Sequence, residues 1–248
     1  MKYRQLGSRV NEQISALGVG CMRLPTLGEP GKIDTPAAKR MLHTAIEAGV
    51  NYIDTAWPYH NQASEPFVGE VLSEGLRNDV LLATKMPMWA VKEPADLDSF
   101  LSKQLERLKT DHIDFYLLHA LGRSLWDTAK RVDAIAWGER QRELGKIRYF
   151  GFSFHDELPV FKEIIDAHAW DFCQIQYNYM NERDQAGTAG LRYAAERGIG
   201  VVVMEPLLGG TLARQPSEVA RIWEQASVSR SGVEWALQWL WSKPEVGT

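Results

Sequence analysis

Four side chains in this chain have types and spacings suited to proton transfer: Asp54, Tyr59, Lys85 and His119. Asp54 and Tyr59 lie five residues apart in VNYIDTAWPYH, where a β-branched and aromatic run, Val50 to Ile53, gives way to a Trp-Pro loop. Lys85 closes the run LLATK, and His119 closes IDFYLLH. A phenol titrates near about 10, high for a proton donor at neutral pH, and a neighbouring ammonium lowers that value by favouring phenolate. Lys85 suits the role of that ammonium, Asp54 that of the group keeping Lys85 charged and in place. His119 suits hydrogen bonding to the oxygen that receives the proton. Such a set fits a reaction that makes an alkoxide from a carbonyl. Hydride reduction is the obvious case, and it requires a nicotinamide cofactor. Taken singly, the residues have plainer roles: Asp54 as a helix cap, Tyr59 in loop packing, Lys85 reaching the surface from a strand end, His119 as a hydrogen-bonded core histidine.

The elements that must position them repeat along the chain. Tyr3 to Leu6, a Gly7-Ser8 turn and Val10 to Ser15 read as a hairpin ahead of the main fold, able to plug one end of a barrel. Ala16 to Val19 reads as a strand ending at Gly20, followed by a Pro/Gly-rich loop and a helix entered at Thr35-Pro36, with Met41, Leu42, Ala45 and Ile46 as its buried stripe. Further strands end at Asp54, Lys85, His119, Ser153, Gln174 to Gln176 and Met204-Glu205. Between them the spacing predicts helices over Ser64 to Glu74 and Pro94 to Leu108, one long helix through Ala129, Val132, Ala136 and Leu144, and others through Val160 to Ile165, up to Arg197 and up to Trp241. Runs such as VLLA and GVVV suit parallel strands buried on both faces. Repeats of about 30 residues are the size of one strand-helix-strand crossover. No GxGxxG follows any strand, so a (β/α)8 TIM barrel is expected over an open dinucleotide-binding sheet. In a barrel all strand ends ring one mouth, which turns the four residues into neighbours.

Composition narrows the classes. At 248 residues, 45% hydrophobic and 24% charged, the chain is long enough for one large α/β barrel, and a single domain over 1–248 is expected. A net charge of −4, with no Lys or Arg cluster, argues against a nucleic-acid partner. No apolar run approaches the roughly 18 residues of a membrane span, and the N-terminus lacks an apolar signal region. Cys21 and Cys173 are isolated, so reduced thiols in a soluble cytoplasmic protein are expected, with no metal site.

The opening YRQLGSRVNEQISALGVGCMRLP, VNYIDTAWPYHNQASEPFVGEVL, LLATK, DFYLLHAL, IRYFGFSFH and CQIQYNYM, in this order, resemble the aldo-keto reductase family over nearly the whole chain. The resemblance implies NADPH-dependent reduction of a small-molecule aldehyde or ketone, with Tyr59 as proton donor and Asp54, Lys85 and His119 as its partners. It implies that NADP(H) lies across the barrel mouth. Asp54, Ser153 and Gln174 then meet the nicotinamide end, Met204 stands at the ring-stacking position, and Glu205, Pro206, Leu207 and Gly209 of EPLLGG meet the pyrophosphate. Phe154 and Met204 depart from the pattern, standing where many members carry Asn and an aromatic ring. The chain also reaches Thr248 where an eighth strand is expected, so that strand and the following segment, which holds the adenosine 2′-phosphate in the family, are expected to be missing. The N-terminal segment and VVVMEPLLGG look most like a subgroup of larger bacterial and archaeal members, some with a C-terminal cysteine cluster for iron and sulfur, which this sequence lacks. Trp57, Trp89 and His60 fall on mouth loops and are candidates to line a substrate pocket favouring apolar or aromatic carbonyl compounds. Two other readings compete. One is a regulatory subunit that holds cofactor with little turnover, a role some barrels of this family have. The other is a Schiff-base aldolase using Lys85 as nucleophile, against which Asp54 argues.

Overall fold

A computed structural model describes residues 1–28 and 31–248. Strands β1 (Tyr3–Gln5) and β2 (Gln13–Ser15) form an antiparallel hairpin. Strand β3 (Val19–Gly20) then opens a parallel sheet. Along the chain follow α1 (Thr35–Glu47), β4 (Tyr52–Asp54), α2 (Ser64–Leu72), β5 (Leu81–Met86), α3 (Pro94–Leu108) and β6 (Ile113–Leu121). Next come α4 (Arg123–Arg131), α5 (Ala134–Glu143), β7 (Ile147–Phe154), α6 (Leu158–Asp166), β8 (Phe172–Gln176), α7 (Gly187–Ala195), β9 (Gly200–Met204), α8 (Ser217–Trp223) and α9 (Gly232–Trp241). Strands β3 to β9 pair in chain order, all parallel, as seven strands of an incomplete (β/α)8 barrel.

Local chemistry explains the helix boundaries. Asp34, one residue before the expected Thr-Pro signal, caps α1 by accepting the Ala37 N–H at 3.1 Å. Glu93 and Asp96 form a reciprocal capping box around Pro94 at the start of α3, and Ser231 with Glu234 does the same for α9. The expected long helix from Ala129 to Leu144 is instead two, α4 and α5. Asp133 between them adopts a left-handed conformation, φ 53°, which aspartate tolerates and a continuing helix does not.

Alternation within the strands sorts two cores. In β5, Leu81 and Ala83 point to the barrel interior while Leu82 and Met86 point to the helices; in β6, Phe115 and Leu117 point inward while Tyr116 and Leu118 point outward. The interior is centred on Phe115, whose ring lies 5.3 Å from Tyr52, 4.9 Å from Tyr149 and 5.0 Å from Phe172. Leu6, Val10 and Ile14 of the hairpin join that cluster and so close the amino-terminal end of the barrel, as the sequence led one to expect. Gly7, at φ +63°, permits the approach: a β-carbon there would sit 2.4 Å from the Gly200 nitrogen. Arg4 ties the hairpin to the end of α9, donating to the carbonyls of Trp241, Lys243 and Val246.

Among the described residues no eighth strand follows β9, only a short contact along its edge. Val246 bridges Val201 of β9 in parallel, the Gly247 N–H donates to the Val201 carbonyl at 2.9 Å, and the Val203 N–H donates to the Thr248 carbonyl at 2.8 Å. The barrel is incomplete, as expected: after α9 the chain turns near Lys243, and Val246 to Thr248 make only this isolated bridge along the edge of β9. No helix among the described residues is long and apolar enough to cross a membrane.

Phe115→Ala removes the ring on which three others converge, and we expect it to destabilise the fold by about 3–5 kcal/mol. Urea unfolding of the variant beside the parent checks this; a loss below about 1 kcal/mol is incompatible with a packed interior.

Candidate active site

Period two carries the interior face of each strand up to the mouth. Asp54 shares its face with Tyr52, Lys85 with Leu81 and Ala83, His119 with Phe115 and Leu117, Gln174 with Phe172, and Met204 with Val202. Ser153 stands in register with Gln174 on the adjacent strand, and Gln176 with Met204 on the next. Contacts bring Asp54, Lys85, Tyr59 and Gln174 together with His119 beside them, while Ser153 and Met204 are placed near them by strand register.

At the centre is Lys85, 1% exposed. Its Nζ donates to Asp54 Oδ1 at 2.6 Å, to the Thr55 carbonyl at 2.8 Å and to the Tyr59 hydroxyl at 3.4 Å. The other Asp54 oxygen accepts from Gln174 Nε2 at 3.1 Å. Burial works to lower the Lys85 pKa, but the charge of Asp54 and the Tyr59 hydroxyl outweigh it and hold the ammonium above its ordinary value. For Tyr59, burial pushes the phenol above its ordinary value, and the opposing pull of Lys85 is smaller. This corrects the expectation of a lowered phenol: desolvation dominates at a mouth with so dry a floor.

His119 lies with its ring centroid 6.2 Å from that of Tyr59. Burial, with the ammonium of Lys85 and then the neighbouring His155 acting in the same direction, holds its pKa well below the ordinary histidine value, so the ring is neutral. Its Nδ1 is buried with no hydrogen-bond partner among the described residues. A break in the β6–β7 register between Leu118 and Leu121 presents His119 at the mouth; Ala120 is left-handed there, φ 54°, and its N–H donates to Ser153 Oγ at 2.7 Å. That bond leaves the Ser153 hydroxyl proton free to donate.

Among the candidate pocket residues, Trp89 is 49% exposed with its ring 5.0 Å from that of His119, at the mouth. Trp57 is differently engaged: the Arg107 guanidinium covers its ring at 3.6 Å and Phe100 meets it edge-on at 5.0 Å. His60 Nε2 accepts the Leu24 N–H at 3.1 Å, fastening its loop to the segment after β3. Phe154 falls on the outward set of β7 and packs 5.0 Å from Phe161 of α6.

Beyond β9 the chain turns through left-handed backbone at Glu205, Leu208, Gly209 and Gly210. Glycine supplies that conformation without strain at the last two positions. The Arg23 guanidinium passes within 3.3 Å of where a Gly209 β-carbon would stand. Asn178 donates to the Glu205 carbonyl at 3.2 Å while its Oδ1 accepts the N–H groups of Met180 and Asn181, so it pins the start of this loop. Neither Arg23 nor Asn178 is singled out by the sequence, although Asn178 sits within QIQYNYM, four residues after Gln174. Cys21 and Cys173 are buried and free, and burial pushes the Cys21 thiol up to about 12, where it is chemically inert.

A model of the Aldo/keto reductase family matches residues 16–248. An uncharacterized oxidoreductase of Bacillus subtilis strain 168, YqkF, is 32% identical over 230 residues, covering 89% of this chain and 69% of the relative. A second from the same organism, YrpG, is 28% identical over 86% of this chain and 68% of its own length. Among solved structures, the holo form of aldo-keto reductase AKR11C1 from Bacillus halodurans superposes with a TM-score of 0.82 at 30% identity, over 100% of this chain and 85% of that one. With a family match over most of its length, oxidoreductase relatives and the strand-end constellation at one mouth, this chain belongs to the aldo/keto reductase family.

Proposed function

We propose that this protein reduces an aldehyde or ketone to the alcohol, with NADPH as cofactor and Tyr59 as proton donor. The observation that carries the reading is the placement of Lys85 Nζ between the Asp54 carboxylate at 2.6 Å and the Tyr59 hydroxyl at 3.4 Å, deep in the mouth.

The chain's own residues fit a nicotinamide dinucleotide. Ser153 and Gln174, side by side in register, offer a hydroxyl donor and an amide acceptor for a carboxamide. Met204 offers an apolar, polarisable surface beside them. Glu205, Pro206, Leu207 and Gly209 belong to a loop that turns through left-handed backbone at Glu205, Leu208, Gly209 and Gly210, with the Arg23 cation alongside, which suits a pyrophosphate. When bound, NADPH supplies the hydride that a carbonyl carbon takes up.

The protein's part is proton transfer and charge. Tyr59, its phenol raised by burial, is fully protonated at neutral pH and so carries the proton it must give to the carbonyl oxygen. Lys85, fixed as an ammonium, stabilises the phenolate left behind. Asp54 holds Lys85 charged and aimed. The neutral His119, with an unpartnered ring nitrogen, has hydrogen-bonding capacity to orient the substrate oxygen. Trp89 beside His119 favours an aromatic or otherwise apolar substrate. An amine nucleophile is disfavoured, because Lys85 is held in its protonated form by a carboxylate at hydrogen-bond distance.

Consumption of NADPH with a panel of small and aromatic aldehydes tests the assignment. Tyr59→Phe is expected to lose about 10²-fold or more in kcat, the scale of a lost general acid. Equal rates overturn the role of Tyr59; cofactor binding without turnover in the parent favours a cofactor-holding role instead. A second expectation concerns pH. An unfolded histidine takes up its proton near 6.5 whereas the folded His119 resists it. Below that pH the unfolded chain binds more protons, so the stability that neutral His119 contributes is present above pH 6.5 and is lost as pH falls. The urea midpoint is expected to drop more steeply from pH 6.5 to about 5 in the parent than in His119→Asn. Parallel slopes contradict a neutral, buried imidazole.

A further inference from the structure

Behind Tyr59 and Lys85, on the helix side of β5, lies a buried polar cluster that the proposed reaction does not use. Its centre is Glu65 of α2, fully buried and with its carboxyl pushed up by that burial. An apolar interface holds helices to a barrel at no such cost, so a carboxylate placed there calls for a reason. Glu65 Oε1 accepts from Thr84 Oγ1 at 2.7 Å and from Gln104 Nε2 at 2.6 Å; Oε2 faces Arg107 Nη1 at 3.3 Å.

Two arms run from this carboxylate to the two halves of the reacting pair. Gln104, buried on α3, also places its Nε2 3.0 Å from the Lys85 carbonyl, and its Oε1 accepts the Tyr116 hydroxyl at 2.5 Å. The amide is therefore held at both ends and grips the main chain of Lys85 itself. Arg107 forms the other arm: its guanidinium covers the Trp57 ring at 3.6 Å and donates to Gln62 Oε1 at 3.0 Å. Trp57 and Gln62 flank Tyr59 in one loop, so this arm grips the segment that carries the phenol.

The separation being held is a sensitive one. Lys85 Nζ and the Tyr59 oxygen are 3.4 Å apart, at the long end of hydrogen bonding, where a further displacement of about half an ångström ends the interaction. We infer that Glu65 and Gln104 are positioning residues which set the Lys85–Tyr59 distance, Gln104 through the Lys85 main chain and Glu65 through Arg107 and the Trp57 loop. The inference rests on the proposed roles of Tyr59 and Lys85.

The test compares full-length Gln104→Leu, which keeps the volume and removes the amide, with Thr84→Val, which removes a hydroxyl from the same cluster and leaves the Gln104–Lys85 contact in place. Three quantities are read: kcat with NADPH and 4-nitrobenzaldehyde, the dissociation constant for NADPH, and the phenol titration of Tyr59 from ultraviolet difference spectra against Tyr59→Phe. Gln104→Leu is expected to lower kcat about tenfold or more, as misplacement of a reacting group does, with NADPH affinity unchanged. Its Tyr59 titration is expected to move upward as the ammonium loosens. Thr84→Val is expected to lower the melting temperature and leave kcat and the titration at parent values. If Gln104→Leu does not fold, Arg107→Met carries the same expectation through the loop arm, at a partly exposed site. Parent-like kcat and titration in the folded Gln104 or Arg107 variant, or an equal loss in Thr84→Val, overturns the inference and leaves the cluster a structural brace. If instead Tyr59→Phe is as active as the parent, it is the reading of Tyr59 that has failed.

Discussion

The ion pair between Lys85 and Asp54 is the constraint on which the mouth of this barrel depends. A lysine withdrawn from water costs several kcal/mol unless every donor finds a partner. Here the three donors meet a carboxylate, a backbone carbonyl and a phenol. Asp54 is committed as fully, with one oxygen to Lys85 and the other to Gln174. Neither charge can relax toward solvent without stranding the other. β4 and β5 are neighbours in fixed register, with Asp54 opposite Ala83, so backbone pairing sets the distance between the two charges.

What lies beneath the pair shapes its chemistry. The interior cluster around Phe115, closed below by Leu6, Val10 and Ile14, gives the charges an apolar floor. Electrostatic interactions strengthen above such a floor, and so do desolvation penalties. For Lys85 the partner charge prevails over burial; for Tyr59 burial prevails over the partner charge. Both groups then hold their protons at neutral pH, one as a neutral phenol and one as a fixed cation. The same environment keeps His119 neutral.

Backbone irregularities complete the arrangement. The break in pairing at Ala120 turns the end of β6 so that His119 reaches the mouth, and Ser153 secures it. Left-handed residues after β9 shape the loop toward Arg23, with Asn178 fixing where the turn begins. These features sit at carboxyl ends of strands, where the ladder no longer dictates the path and side chains decide it.

The sequence by itself determined the repeat of strands and helices, the parallel barrel they imply and the identity of the strand-end residues. Each of those follows from local period and punctuation. Asp54, Lys85, His119, Ser153 and Gln174 are legible because period two along a buried strand leaves little choice of face. Other features depended on tertiary structure. The split of the expected helix at Asp133 is a backbone state that spacing does not encode. That Trp57 packs beneath Arg107, and that Phe154 faces Phe161, follows from which helix lies against which strand end. The sign of the Tyr59 shift is a contest between burial and a neighbouring charge, and burial exists only once the barrel is assembled. The Glu65–Gln104 cluster joins positions 39 residues apart, and its hydrogen bonds carry no periodic signal in the chain. Local chemistry could name the groups; only the fold could set the distances between them.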